Sequence, residues 1–528
     1  MSAVALGLVG KANLLAWAFA GTTGLFRKKG NQLKPTAFDG IDGTDHATDV
    51  DAMEVFPLSH AQLGMWYAQH LDPDVPINIA QYVDMRGDLD IDTLERASIV
   101  GSSEFGSGFL RILERDGQPC QMVDLGIDDS LLVRDFRGEE DPERAAHEWM
   151  QADYSAPVNL LEDRLIVAAV LRIEDSRYFW YSRCHHIILD GFGAMNFMTR
   201  VAELYSAAVE GREPAPLKAV DLSELYKSDT AYRESERFTA DGEYWAERIA
   251  GLEEGTSLSG RTAAPSAVNG VSSAALSDEF AAQLSAAVSE QNSSPAGMLI
   301  AAFASYLAQI SGNEDVILSL PVTARTTAAA RRSGGMMSNV VPLRLHVGAD
   351  TTIAELLTQV QVAVSGALRR QRYRHEDMRR GSSASAVQRD LLGPLVNIML
   401  FHNEVALGPV LGEFNILSTG TIEDLGVNFY QSVGGTRTHV DFETNPNLYT
   451  DDEAREHHSR FLNFFERFVG VDAETPVWAL NVATDMELEL VLDRWNDTDR
   501  AVPEGTLVSM FEAQVAATPD AVALVFEG

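Results

Sequence analysis

Cysteine is almost absent: Cys120 and Cys184 are the only two in 528 residues. That excludes a disulfide framework and a thiolate zinc site. Positive charge is scarce as well, with 41 Lys and Arg against 77 Asp and Glu and a formal net charge of −36. A surface of that sign repels phosphate backbones and anionic lipid, which excludes nucleic acid as a partner and disfavours a membrane. Long apolar runs are missing too. Ala3 to Phe26 comes nearest, but Lys11 and Asn13 break it and Arg27, Lys28 and Lys29 follow, so its runs are too short for a spanning helix. Ala18-Phe19-Ala20 has the small residues of a signal-peptidase site without a leading basic region or a full apolar core. Residues 1–50 therefore read as a helical docking appendage, disorder or the product of a spurious start codon, and the acidic Gly-, Asp- and Thr-rich stretch that follows Thr36 as linker, so that an N-terminal extension and linker spans 1–52. The expectation is a cytoplasmic protein whose acidity serves solubility.

What is present is enough apolar residue, 45% of the chain, to bury large cores, and a length that suggests two to four domains. One segment carries chemistry: Cys184-His185-His186-Ile187-Ile188-Leu189-Asp190-Gly191-Phe192-Gly193. Arg164 to Arg172 and Tyr178 to His186 read as two strands of a hairpin turning at Glu174-Asp175-Ser176, feeding this segment. Side chains alternate along a strand, so His185 and His186 face opposite ways: one is a buried hydrogen-bonding residue and the other, His186, meets substrate. Asp190 is expensive to bury without a cation. After Gly191 the apolar spacing of Met195, Phe197, Met198, Val201, Leu204 and Tyr205 is helical and stops at Gly211. Cys184 reads as a small packing residue rather than a nucleophile. A second doublet, His457-His458, lies in a polar, charged helical stretch and reads as a solvated pair.

Further motifs follow in order. Leu58-Ser59-His60-Ala61-Gln62-Leu63-Gly64-Met65-Trp66 resembles the opening motif of the condensation domains of nonribosomal peptide synthetases, and the histidine segment resembles their HHxxxDG signature. Tyr226 through Trp245, Ser319 to Arg325, Gly335 to Leu343, and Arg372-Tyr373-Arg374-His375-Glu376-Asp377 look like the later motifs in sequence, so the resemblance runs from about Val55 to Val469. Trp495-Asn496-Asp497-Thr498 and Leu507 to Leu524 look like the start of an adenylation domain. The Arg372 to Asp377 segment, Gly393 to Ile398 and Leu417-Ser418-Thr419-Gly420 through Asp424-Leu425 are similar to siderophore-synthetase condensation domains.

The resemblance implies an α/β fold of two chloramphenicol-acetyltransferase-like lobes in a V with a tunnel between them. The Gly-, Ser-, Ala- and Thr-rich stretch 252–271 places the boundary. The expected domains are the N-lobe at 53–251, that inter-lobe linker, the C-lobe at 272–475, and a linker with a truncated adenylation start at 476–528. It further implies amide bond formation between a carrier-bound acyl or peptidyl thioester and a carrier-bound aminoacyl group. Donor and acceptor carrier domains and a downstream adenylation domain are the implied partners. No metal or organic cofactor is expected in the domain itself, the substrates arriving on phosphopantetheine arms. The catalytic set implied is His186, His185, Asp190 and Gly191, with His186 as general base or hydrogen-bonding anchor. Asp190 is expected to pair with Arg325 across the lobes. Gly191 either offers its amide to the tetrahedral intermediate or is a simple turn glycine. Asn397 and Gly193 are the substrate-binding candidates.

Two departures stand out. Gly193 occupies a place where the family often has a small hydroxyl residue, and Ser102 to Leu110 replaces the usual RHExLRTxF segment. Three rival functions are weighed. Epimerisation domains share the histidine motif but normally end a module. Heterocyclisation domains carry aspartate where this chain has histidines. A non-catalytic recruitment module is opposed by the intact motifs.

Overall fold

The computed structural model describes residues 54–252, 255–381, 393–399, 404–431, 437–501 and 504–527. The N-terminal extension and linker expected at 1–52 lie outside the described residues. Two six-stranded sheets and one three-stranded sheet organise the chain.

The first sheet grows around the hairpin Ile166–Glu174 and Arg177–His185. Asn78–Arg86 pairs antiparallel with the second hairpin strand, in a register that sets Asn78 against His185 and Ile79 against Cys184. Val83, Val170 and Trp180 point into one face of this sheet, where helix Gly191–Glu210 packs through Met198, Val201 and Leu204. That helix ends as its sequence dictates, with Gly211 at φ 64°; a left-handed terminus is where glycine costs least.

The second sheet takes the order Asn339–His346, Asp315–Val322, Leu395–Met399, Leu425–Gln431, Thr438–Thr444 and Gly270–Ala275. Its main covering helix, Pro295–Ser311, starts from a Ser294 cap and buries every residue from Met298 to Ala308. Apolarity on all sides is the pattern of a helix enclosed on all sides. Each such Leu, Ile or Phe contributes about 1.5–3 kcal/mol by leaving water.

The sheets do not follow the halves of the chain. Glu404–Leu407 and Val410–Thr419, from the second half, extend the first sheet beyond Asn78–Arg86. Trp245 and Ile249, from the first half, are buried in the second core. One compact unit runs to Val482, and residues 483–528 form a second. In the latter, helix Leu507–Ala517 leaves Leu507, Val508, Met510 and Phe511 exposed. No helix among the described residues is long and apolar enough to cross a membrane.

The doublet His457–His458 corrects a sequence expectation. It is not a solvated pair. His458 is buried, its Nδ1 2.8 Å from Ser272 Oγ and its Nε2 2.9 Å from the Val440 carbonyl, and its ring stacks on Phe442. His457 sets Nδ1 3.0 Å from the Tyr306 hydroxyl. The charges around them occupy the outer face of helix Asp451–Gly470, while the pair lies on the side carrying Phe461 and Phe465 toward the second core.

Candidate active site

Strand Arg177–His185 ends at the histidine pair, and the next three residues turn before helix Gly191–Glu210 begins. His185 is fully buried. Its Nδ1 accepts from the Ile187 N–H at 3.1 Å and its Nε2 lies 2.9 Å from Gln69 Oε1. Gln69 is itself fixed by Asp72, Pro73 and Val75 carbonyls. Both nitrogens are thus committed in one neutral tautomer, and burial, with His186 and Arg183 nearby, pushes the pKa down to about 3. This ring braces the loop.

His186 is different. It is half-buried, with Nε2 3.4 Å from the Thr419 carbonyl, the long end of a hydrogen bond, and Nδ1 buried without a partner among the described residues. Burial lowers its pKa, while Asp190 and the Thr419 carbonyl pull it back up. The ring is therefore neutral at pH 7 and able to take a proton. Gly420 leaves the imidazole room: a Cβ there would stand 3.5 Å from His186 Cδ2, and its φ is 107°.

Asp190 does three jobs with one carboxylate. It caps helix Gly191–Glu210 by accepting from Gly193 N–H at 2.8 Å. It pairs with Arg325 Nη1 at 2.6 Å, both side chains almost wholly buried. It accepts from the Met337 and Ser338 amides at 2.9 and 2.8 Å. Burial alone would raise its pKa, but the Arg325 guanidinium and the Gly193 and Met337 amides hold it below the usual carboxylate value. Arg325 in turn donates to the Gly335 carbonyl at 3.0 Å and lies over the Phe192 ring. The residue before it, Ala324, sits at φ 52°, a left-handed conformation that disfavours any side chain but turns the end of strand Asp315–Val322 toward the aspartate.

The remaining candidates fall into two groups. Gly191 is exposed, and a Cβ on it would meet nothing within 4 Å. Gly193 is buried; a Cβ there would press within 2.9 Å of Leu189 and 3.2 Å of the Gly335 carbonyl, so hydrogen is what lets the helix start pack on the Arg325 segment. Asn397 donates to Asn428 Oδ1 at 3.0 Å on the neighbouring strand, in register with it. Cys184 is buried and its thiol pKa is raised by desolvation, the state of a packing residue. Among the described residues no group of three or more His, Cys, Asp and Glu is placed to hold a metal.

Sequence reasoning passed over four contributors: Gln69, the Met337 and Ser338 amides, Thr419 and Glu443. Gln69 had a usable signal, an amide on the same helix stripe as Gln62 and the apolar Trp66; the others are brought in by backbone or by strand placement alone. Two cavities are lined by residues that bond this loop or the Thr419–Gly420 segment beside His186, rather than by the loop itself. One is lined by Gln62, Tyr226, Met337 and Arg374; Gln62 Nε2 bonds the Ile187 carbonyl. The other, the larger, is lined by Tyr154, Asn269, Ser418 and Glu443; Asn269 bonds the Gly420 carbonyl.

Two sheets with their covering helices, and an imidazole with an uncommitted nitrogen on a loop locked by a buried ion pair, define an acyltransferase of the chloramphenicol-acetyltransferase type. The family described as Condensation domain matches residues 52–490, and the chain belongs to it, as a condensation domain of the nonribosomal peptide synthetase kind. It is 33% identical over 473 residues to a dimodular nonribosomal peptide synthase of Bacillus subtilis (strain 168), covering 89% of this chain and 20% of that protein. To enterobactin synthase component F of Escherichia coli (strain K12) it is 29% identical over 485 residues, 89% of this chain and 36% of that one. The chain thus spans about a fifth to a third of these relatives. A variant of the starter condensation domain of rhizomide synthetase superposes with a TM-score of 0.76 at 33% identity, covering 81% of this chain and 97% of that one. The first condensation domain of the calcium-dependent antibiotic synthetase, bound to a substrate analogue, gives 0.74 at 29%, covering 82% and 99%. Domains of this family form amide bonds and work with carrier domains.

Proposed function

We propose that this domain transfers an acyl or peptidyl group from a carrier-bound thioester to the amine of a carrier-bound aminoacyl group, with His186 handling the amine proton. A thioester is already activated, so the domain has only to align the partners, receive a proton and let the thiolate leave. One observation carries the reading: of the two rings and the carboxylate in the histidine loop, His186 alone keeps a nitrogen uncommitted, and its other nitrogen faces the Thr419 carbonyl, next in chain to the cavity-lining Ser418. The amine attacks the carbonyl carbon, its proton passes to the imidazole, and the same ring returns it to the departing sulfur. Asp190 and Arg325 hold the loop rather than react. The Gly191 amide, at the exposed start of its helix, is the nearest backbone donor for the intermediate's oxygen.

The two cavities suit two pantetheine arms, one from a donor carrier and one from an acceptor carrier. Residues 476–528, whose helix Leu507–Ala517 leaves apolar residues exposed, are read as the linker and first segment of an adenylation domain. The likeness to enterobactin synthase component F supports a siderophore product. The test is direct: supply acyl-carrier and aminoacyl-carrier thioesters and follow the carriers by intact-protein mass spectrometry. Transfer of the chain to the acceptor is the expected result. Binding with no transfer points to a recruitment module, and deuterium loss from a single carrier-bound residue points to epimerisation.

A further inference from the structure

Glu443 is a buried acid that the scheme above leaves without a task. It sits on strand Thr438–Thr444 at 8% exposure, in register with Gly426 on one side and Val271 on the other. Its Oε2 accepts from Thr419 Oγ1 at 2.9 Å, and Asn428 gives it a further side-chain bond. Among the described residues no lysine or arginine pairs with it. The titratable groups around it are Asp441 on its own strand, Tyr430 on the next strand, and Tyr154 and His147 on helix Pro142–Tyr154. Of these only His147 can become cationic, as can His186 on the far side of Thr419, and burial lowers the pKa of both. Desolvation, with Asp441 adding to it, therefore pushes the Glu443 pKa up to about 7 against the bonds from Thr419 and Asn428. Stability does not explain such a residue, since burying a carboxyl without a cation is costly.

Its position does offer an explanation. Glu443 lines the larger cavity together with Asn269 and Ser418. Thr419 joins it to the working ring, giving its hydroxyl to Glu443 and its carbonyl to His186 Nε2. We infer that Glu443 is a second catalytic residue, which meets the acceptor amine as an ammonium ion, removes its first proton and leaves a neutral nucleophile beside His186. This rests on the amide-forming reading. The protons balance: the ammonium loses one proton to the Glu443 carboxylate, and the amine then attacks the thioester carbon. Its second proton goes to His186 and on to the leaving sulfur, and the carboxyl releases the first proton to solvent through the cavity. One amide, one thiol and one free proton result.

The test compares Glu443→Gln, which keeps the shape and the bonding to Thr419 and Asn428, with the unaltered chain. The donor is octanoyl carrier protein. The acceptors are the N-acetylcysteamine thioesters of glycine and of aminooxyacetic acid, whose nitrogen is already uncharged at neutral pH. At about pH 7 the substitution is expected to slow glycyl transfer about tenfold or more, with recovery as rising pH deprotonates the amine unaided, and to leave aminooxy transfer unchanged. Equal loss with both acceptors at every pH, or no loss with either, overturns the inference. Infrared difference spectra between about pH 6 and 8 give a readout that needs no turnover: a protonated-carboxyl band should be present in the unaltered chain and missing in Glu443→Gln. Its absence from the unaltered chain also overturns the inference. Failure of the unaltered chain to transfer either acceptor counts against the amide-forming reading itself, and the carboxyl band then still decides whether Glu443 holds a proton near neutrality.

Discussion

The chain carries two adjacent histidine pairs, and they end in different states. His185–His186 closes a strand and opens a loop between two sheets; His457–His458 lies within one helix that covers a single sheet. In each pair one ring is buried with both nitrogens bonded. The difference is the second ring. His457 lends its Nδ1 to Tyr306, whereas His186 has one loose contact and one nitrogen with none. Two histidines in sequence are therefore no signal in themselves. An incompletely committed ring, held by groups that are fully committed, is the signal, because interiors normally satisfy their polar atoms.

The comparison can be broken most decisively by exchanging losses. His186→Ala is expected to reduce acyl transfer by about a hundred- to ten-thousandfold with little change in thermal midpoint. His458→Ala is expected to do the opposite, costing about 1–3 kcal/mol of stability while leaving transfer by the folded fraction intact. Mass-spectrometric transfer assays and urea unfolding on both variants decide it, and a reversed pattern would end the assignment of His186. Next in size is the brace. Arg325→Met strands the Asp190 carboxylate in the interior and should cost about 3–5 kcal/mol by urea unfolding; a loss no larger than that of a surface pair would show that water reaches the site.

The two buried rings, His185 and His458, also make a pH prediction. Their folded pKa values are lowered, to about 3 for His185, below the ordinary imidazole value of 6.5. The unfolded chain therefore binds protons first as pH falls, so their stabilising contribution is full above about 6.5 and declines toward about 3. Unfolding midpoints measured downward from neutrality should fall, and less steeply in His185→Gln. The smallest effect sharpens the loop itself. Gly191→Ala places a methyl in open space and should shift stability by no more than about 0.5 kcal/mol. Gly193→Ala, packed on Leu189 and the Gly335 carbonyl, should cost about 1–3 kcal/mol. A Gly191→Ala chain that is fully stable yet slow in transfer supports backbone approach to the reacting carbonyl; one with normal transfer makes Gly191 a turn glycine.

Much of this was legible before any coordinates. The hairpin turning at Asp175 and the helix ending at Gly211 follow from alternation and periodicity, which are properties of neighbouring residues. The same local rules said that His185 and His186 face apart, and that Asp190 needs a cation. They misread His457–His458, because a helix with an acidic, basic and polar composition can still turn two imidazoles onto a sheet.

The sequence alone determined where the titratable groups stand along the chain and what local geometry presents them. Only the tertiary structure decided which ring is left uncommitted, that strands 404–419 cross to the first sheet and bring the Thr419 carbonyl to His186, and that Glu443 lies one residue from that ring. The reason is physical. Local rules act over a few residues, whereas these contacts join segments that are 24 and 233 positions apart and exist only because strands from the second half of the chain complete the first sheet.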